Sequence, residues 1–331
     1  MKKIVVTAMF CLVISSMGFS QDKELEELRN KFSDLEFRYD KVTGIGHEAG
    51  ITRRDASDII KVGDTYYVYY TKIYGLVPGY WGTLWYASST DEGFSWEEQG
   101  EILGLGKKGA FDSQATFTPN IIFARGKYYL YYTGVKPTPG NKAGEFENNS
   151  TTDITAIGVA ISDSPDGPFI RINDEPILKV SAEPGKFDSY RVDDAVLMYR
   201  NGLYWLYYKG RSRISGPGRT EMGVAFSQRP EGPFEKYHKT LLSNSHAVTL
   251  WQEGHGIACL ASLSKTFEYS ADGIDFHSNR LHVKVENSPK APGVFRQDLT
   301  DQKVRGEGIK WGLSLVKNGN EAYLVRYSVE Y

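Results

Sequence analysis

The strongest constraint on this chain is a unit that recurs along it. In each copy a polar or acidic cluster leads into an apolar strand and then a turn bearing Gly or Asn. A strand dense in tyrosine follows, then a third strand ending in an Asp-, Pro- or Gly-bearing turn and an aromatic residue. The unit reads DASDIIKVGDTYYVYYT…LWYASSTDEGFSW from Asp55 to Trp96 and FTPNIIFARGKYYLYYTG…IGVAISDSPDGPF from Phe117 to Phe169. It returns as DDAVLMYRNGLYWLYYKG…MGVAFSQRPEGPF from Asp193 to Phe234, with fainter copies from His246 and from Gly308. The tyrosine strands fall at Tyr66–Tyr70, Tyr128–Tyr132 and Leu203–Tyr208. Several short strands per copy, repeated at a period of roughly 60 to 75 residues, predict a β-propeller. Five copies predict an all-β, five-bladed propeller in which the polar start of each first strand faces one central funnel.

A propeller accommodates most of the 331 residues in one domain. Net charge is −2 and no stretch is a run of like charge, which excludes the basic footprint of a nucleic-acid binder. The 22 tyrosines fit half-buried strands, and aromatic rings also stack on sugar faces. Residues 1–20 have the form of a secretory signal. Lys2 and Lys3 open it, Ile4 to Ile14 is apolar, and Gly18 and Ser20 precede a cut ahead of Gln21. The apolar run is too short to span a bilayer. These features predict a periplasmic or secreted protein without a membrane span. Cys11 falls inside the signal and lacks the small residues that precede a lipidated cysteine. Cys259 is therefore alone in the mature chain, reads as a small buried apolar residue, and allows no intrachain disulfide. Between the signal and the propeller (44–331) lies a segment at 21–43. Leu25, Leu28, Phe32 and Leu35 give Asp22 to Tyr39 helical spacing, so a short amphipathic helix is expected to pack on the propeller.

The acidic residues at strand starts are the candidates for chemistry. Asp55, Asp112, Asp188, Asp193, Asp194 and the His246 region are all positioned by the repeat to converge on the funnel. Paired carboxylates flanking a glycosidic bond supply an acid for the leaving oxygen and a base for water. An Asp beside a turn also commonly caps backbone amides, so each is weighed against that role. His255 reads as a turn residue, and His238, His277 and His282 have no organised context. No zinc motif, phosphate loop or nucleophile elbow occurs. Converging backbone groups at the axis leave a divalent cation or water in the central channel open, with no cofactor otherwise required.

Several segments together resemble glycoside hydrolase family 117. They are ITRRDASDIIKVGDTYYVYYT, FDSQATFTPNIIFARGKYYLYY, AISDSPDGPF, FDSYRVDDAVLMYRNGLYWLYYKG, SNSHAV and GIKWGL, running from about Gly44 to Trp311. The resemblance implies a five-bladed propeller that releases 3,6-anhydro-L-galactose, with inversion, from the non-reducing end of agar-derived oligosaccharides. It puts the general base on Asp55, a supporting carboxylate on Asp194 and an unusual histidine acid on His246. Arg54, Thr118, Arg191, Asp193 and Trp85 are candidate sugar contacts, with Trp85 equally readable as a blade-core residue. Three departures stand out: the family's Ser-Gly-His-Glu stretch is Ser-His-Ala here, with Ala247 after the histidine; Asp193 stands where histidine is frequent; and the family's swapped helical arm has no clear match, which leaves a homodimer open. An imidazolium has an unperturbed pKa of about 6.5 and can act as an acid near neutrality. Arg53 or Arg54 would favour an ionised Asp55. Two other readings remain: an arabinosidase or xylosidase type with Glu221 as acid beside Asp55 and Asp194, and a secreted sugar-binding propeller with impaired catalysis.

Overall fold

The computed structural model describes residues 23–74, 82–136, 154–212, 214, 219–243, 245, 249–261, 264–276, 281–304, 306, 308–319 and 321–331. The signal segment, His246, Ala247 and His277 lie outside the described residues. Five antiparallel sheets form the blades of a propeller. Blade 1 runs outward from Ile51–Arg54 and Ile60–Val62 through Thr65–Tyr74 and Thr83–Ser89 to Glu97–Leu103. Blade 2 is Ala115–Ala124, Lys127–Lys136, Ile154–Ser162 and Ile170–Arg171. Blade 3 is Arg191–Arg200, Leu203–Arg211, Glu221–Ser227 and Glu235–Lys236, with Leu242–Ser243 added. Blade 4 is Thr249–Glu253, Gly256–Ala261, Thr266–Ser270 and His282–Lys284.

Blade 5 departs from the sequence expectation. Its inner strand is the short Gly293–Val294, so the copy beginning at Gly308 supplies the second and third strands, Trp311–Asn318 and Glu321–Glu330. The fourth strand is Glu36–Lys41, paired from Glu36↔Glu330 to Lys41↔Val325. The helix therefore spans only 23–33, and the sequence up to Tyr39 that was expected to continue it is the outermost strand of the ring. Alternation explains the switch. Phe37 and Tyr39 point one way along an extended edge, separated by charged residues, which is a period of two rather than 3.6.

The core is divided among the five gaps between neighbouring blades. The tyrosine strands fill these gaps because a phenol buries a large apolar ring and keeps one polar atom to satisfy. Tyr69 of blade 1 donates to the Pro165 carbonyl of blade 2 at 2.7 Å. Tyr131 of blade 2 donates to Pro230 of blade 3 at 2.5 Å, and Tyr207 of blade 3 to Gly273 of blade 4 at 3.0 Å. The third-strand turns are thus the acceptors for the preceding blade's tyrosines. The helix fills the outer part of the gap between blades 4 and 5, where Phe32 stacks on Phe267 at 4.7 Å. Cys259 is fully buried in the gap between blades 3 and 4, as an apolar residue.

Candidate active site

The inner strands of blades 1, 2 and 3 carry the same irregularity. Pairing to the second strand breaks between Phe117 and Asn120 in blade 2 and between Asp193 and Val196 in blade 3. In blade 1 it breaks between Arg54 and Ile60. At each break one residue has left-handed backbone: Asp55 (φ 53°), Thr118 (φ 46°) and Asp194 (φ 51°). Each stands eight residues before the positive-φ glycine of its own blade's first turn, Gly63, Gly126 or Gly202. His246 stands the same eight residues before Gly254 in the sequence of blade 4. Ala291 (φ 41°), just ahead of the inner strand of blade 5, also has left-handed backbone. Such backbone is strained for a side chain with a Cβ, above all for Thr, and persists where a site requires it. A bulge also re-aims the residue it displaces. Asp55, Thr118, Asp194 and Ala291 all line one cavity of about 840 Å³.

Each carboxylate in that cavity has a cation. Arg54 Nε donates to Asp55 Oδ2 at 2.7 Å. Lys209 Nζ lies 2.6 Å from Asp194 Oδ2 and 3.3 Å from Asp193 Oδ1. Lys209 follows the tyrosine pair of the second strand, directly across the ladder from Asp193. At the matching place in blade 2, Thr133 shares a hydrogen bond with the Thr118 hydroxyl at 2.6 Å. Thr71 of blade 1 accepts from the Thr118 amide at 3.1 Å. The residue after each tyrosine pair therefore serves the inner ring, a role the sequence reading missed. Arg53, next to Arg54, is held by Glu98 at 2.8 Å and Glu48 at 2.6 Å. Glu98 also accepts from Lys72 and Tyr70. Burial would raise the Glu98 carboxyl, but hydrogen bonds from Arg53, Lys72 and Tyr70 override it and hold it at about 2. This network fixes the strand that leads into Asp55.

Arg54 and Thr118 thus line the cavity with Asp55 and Asp194. Asp193 does not. It is 3% exposed behind Asp194, and burial pushes its carboxyl up against the opposing pull of Lys209. Arg191 is buried with it, its Nε 4.0 Å from Asp193 Oδ2. Trp85 is also absent from the lining. Its indole lies over Lys72 at 3.9 Å and donates to Thr83 at 3.1 Å.

Asp112 and Asp188 do not converge on the funnel. Each is buried in its own blade, where Tyr132 donates to Asp112 at 2.8 Å and Tyr208 to Asp188 at 3.0 Å. Arg171 and Lys236 of the outer strands neutralise them at 2.7 Å and 2.5 Å. Their phenylalanine neighbours, Phe111 and Phe187, lie where a Cβ on Gly134 or Gly210 would stand, at 2.6 Å in each case. The repeated Phe-Asp-Ser is therefore a blade-locking motif. Glu221 pairs in the ladder with Gly210 and Ser243 and does not line the cavity.

At the centre, Arg296 Nη1 bonds Asp58 Oδ2 at 2.7 Å and Nη2 bonds the Leu197 carbonyl at 3.2 Å. Asn120 joins Asp58 to the Leu197 amide. This network links the inner strands of blades 1, 2 and 3 with the segment after the inner strand of blade 5. Among the described residues no cluster of three or more His, Cys, Asp or Glu could hold a metal ion, and no helix is long and apolar enough to cross a membrane.

Three equivalent left-handed positions, two of them charge-paired aspartates, thus line one cavity in the funnel of a five-bladed propeller, and comparison with known proteins gives the class of that propeller. The family model described as "Glycosyl hydrolases family 43" matches residues 50–196. A family 117 glycoside hydrolase, Zg3597, from the marine bacterium Zobellia galactanivorans is 27% identical, covers 90% of this chain and 91% of its own, and superposes with a TM-score of 0.76. A solved structure described simply as a glycoside hydrolase (13% identity, 93% and 95% coverage, TM-score 0.66) shares the fold. So does a thermostable family-43 glycoside hydrolase (15% identity, 88% and 92% coverage, TM-score 0.55). No curated protein matches the sequence. The chain is a propeller glycoside hydrolase. Within that class its similarity to the family 117 enzyme extends over 90% of the chain.

Proposed function

We propose that this protein is a secreted, exo-acting, inverting glycosidase that releases 3,6-anhydro-L-galactose or a related sugar from the non-reducing end of agar-derived oligosaccharides. The observation that carries this reading is the equivalence of Asp55 and Asp194 as strained inner-ring residues lining one cavity. Asp55 acts as the base that takes a proton from water, with Arg54 holding its second oxygen in place. His246, eight residues before Gly254 in the sequence, gives its proton to the leaving oxygen. The Asp194 carboxylate supports the imidazolium, and Lys209 orients that carboxylate from behind. Water attacks the anomeric carbon opposite the leaving group, the glycosidic bond breaks, and the proton balance closes between His246 and Asp55.

The family 117 neighbour supports this substrate class over an arabinosidase or xylosidase reading, as does the position of Glu221 outside the cavity lining. The test is product release from a panel of neoagaro-, carrageenan- and arabinoxylan-derived oligosaccharides, with the anomeric form of the fresh product read by NMR. Release of a sugar with retained anomeric configuration overturns inversion. Release of arabinose or xylose overturns the substrate class. Binding without release from any member of the panel favours the sugar-binding propeller.

A further inference from the structure

The charges of the cavity are not matched all the way round. On the side of blades 1 to 3 every carboxylate has its cation, Arg54 on Asp55, Lys209 on Asp194 and Arg296 on Asp58. The facing side is lined by Lys265, Lys290 and Lys317, all exposed, and none of them is in an ion pair with a described residue. The acid beside them, Glu286, is 3.4 Å from Lys284. The three lysines are tied into one wall. The Val285 amide donates to the Lys265 carbonyl at 2.8 Å, and the Leu315 amide to the Lys290 carbonyl at 2.9 Å. Lys317 follows Leu315 on the same face of its strand, two residues along. Blades 4 and 5 thus bring three exposed lysines to the lining of a cavity whose opposite side is neutralised.

We propose that this wall is a subsite for a sulfate ester, so that the preferred substrate is a sulfated oligosaccharide rather than its neutral counterpart. The proposal deepens the glycosidase reading of this cavity and rests on it. Lysine presents a compact point charge on a flexible stem, which suits a tetrahedral, freely rotating sulfate. A planar carboxylate is recognised best by the guanidinium fork, and no arginine stands on that wall. The cavity is large enough, at about 840 Å³, to take a substituted sugar beside the one that is cleaved.

The test is calorimetric binding to the Asp55→Asn variant, in which cleavage is suppressed. The ligands are a sulfated oligosaccharide, the same compound chemically desulfated, and a uronate-bearing oligosaccharide. The sulfated ligand should bind about tenfold more tightly than the desulfated one, the sum of a few exposed ion pairs. That advantage should shrink between about 0.05 M and 0.5 M salt. It should vanish in the triple variant Lys265→Gln, Lys290→Gln, Lys317→Gln, whose exposed positions leave the melting temperature unchanged. Equal affinity for the sulfated and desulfated ligands overturns the proposal, as does an advantage that survives the triple variant. A uronate that binds as tightly as the sulfate reassigns the wall to carboxylates and overturns it too. The two readings fail separately. Sulfate-selective binding with no hydrolysis by the wild-type enzyme sinks the glycosidase, whereas hydrolysis with no sulfate preference sinks only the subsite.

Discussion

Lys209 reaches across the ladder of blade 3 and places its ammonium 2.6 Å from Asp194 Oδ2. The lysine is 7% exposed, and Asp193 behind it is 3% exposed. Two adjacent carboxylates are tolerated there because one cation serves both. Lys209→Met should therefore cost on the order of 3–5 kcal/mol of stability, the usual penalty for stranding a buried charge. Chemical denaturation reads this directly, and a loss below about 1 kcal/mol would show that the pair is not mutually dependent.

Asp55→Asn and Asp194→Asn isolate charge from backbone. Asn tolerates left-handed φ as well as Asp does, so both variants should keep the wild-type melting temperature within a few degrees. Turnover in Asp55→Asn should fall by about two to four powers of ten. Asp55→Val, by contrast, should destabilise the fold, because a β-branched residue fits that φ poorly. Full activity in Asp55→Asn would remove Asp55 as the base.

His246→Ala should lower turnover by roughly two to four powers of ten while substrate affinity is largely kept, since the proton is needed in the transition state. Asp194→Asn should move the alkaline limb of the pH–rate profile to lower pH. Losing a nearby negative charge disfavours the imidazolium, so the acid is unloaded earlier as pH rises. An alkaline limb that stays fixed in Asp194→Asn breaks the link between the two residues. Loss of activity in Glu221→Gln, with His246→Ala near wild type, would move the acid to Glu221.

Glu98 predicts the acid side of the stability curve. Its folded carboxyl is held down to about 2, from an ordinary value near 4.5. The stabilisation is present in full above that ordinary value and is lost as pH falls from about 4.5 towards 2. Glu98→Gln should flatten this slope and cost about 3 kcal/mol at neutral pH, since Arg53 and Lys72 lose their shared partner. The readout is melting temperature against pH for both proteins. Parallel curves would show that Glu98 does not govern acid sensitivity.

Arg296 bears on the divalent cation or water left open in the channel. We propose that its guanidinium, bound to Asp58 and Leu197, performs the tying role at the centre. Arg296→Met should then destabilise by on the order of 3–5 kcal/mol. Chelator should leave the melting temperature of the wild type unchanged. A drop on chelation, restored by a divalent ion, would assign that role to a metal instead.

The parts of the site legible in sequence were those that repeat within the first three blades. Asp55, Thr118 and Asp194 each stand eight residues before a glycine turn, and that spacing survives any change in side chain. Lys209 was hidden because its role depends on the ladder partner across from it, which a linear reading does not reveal. Asp112 and Asp188 looked identical in type to the site aspartates. Burial behind Phe111 and Phe187, a three-dimensional property, separates them from the cavity. The lysine wall escaped notice because blades 4 and 5 keep the fold with little of the repeat. Glu36–Lys41 was misread because its neighbours Leu25 to Leu35 set a helical period that stops, without a strong breaker, one residue before the strand begins.

That strand has a kinetic consequence. Its partner in the ring is at the far end of the chain, Glu36 against Glu330. Four blades can be assembled from residues close in sequence, but the fifth is completed only when both ends meet, which is a contact of the slowest kind. Until then the outer edge of Glu321–Glu330 remains open to water and to other chains. Refolding should accordingly show fast gain of β-structure and a late, concentration-sensitive step. A chain shortened past Lys41 should stall at that step and aggregate, even though Asp55 and Asp194 are both present.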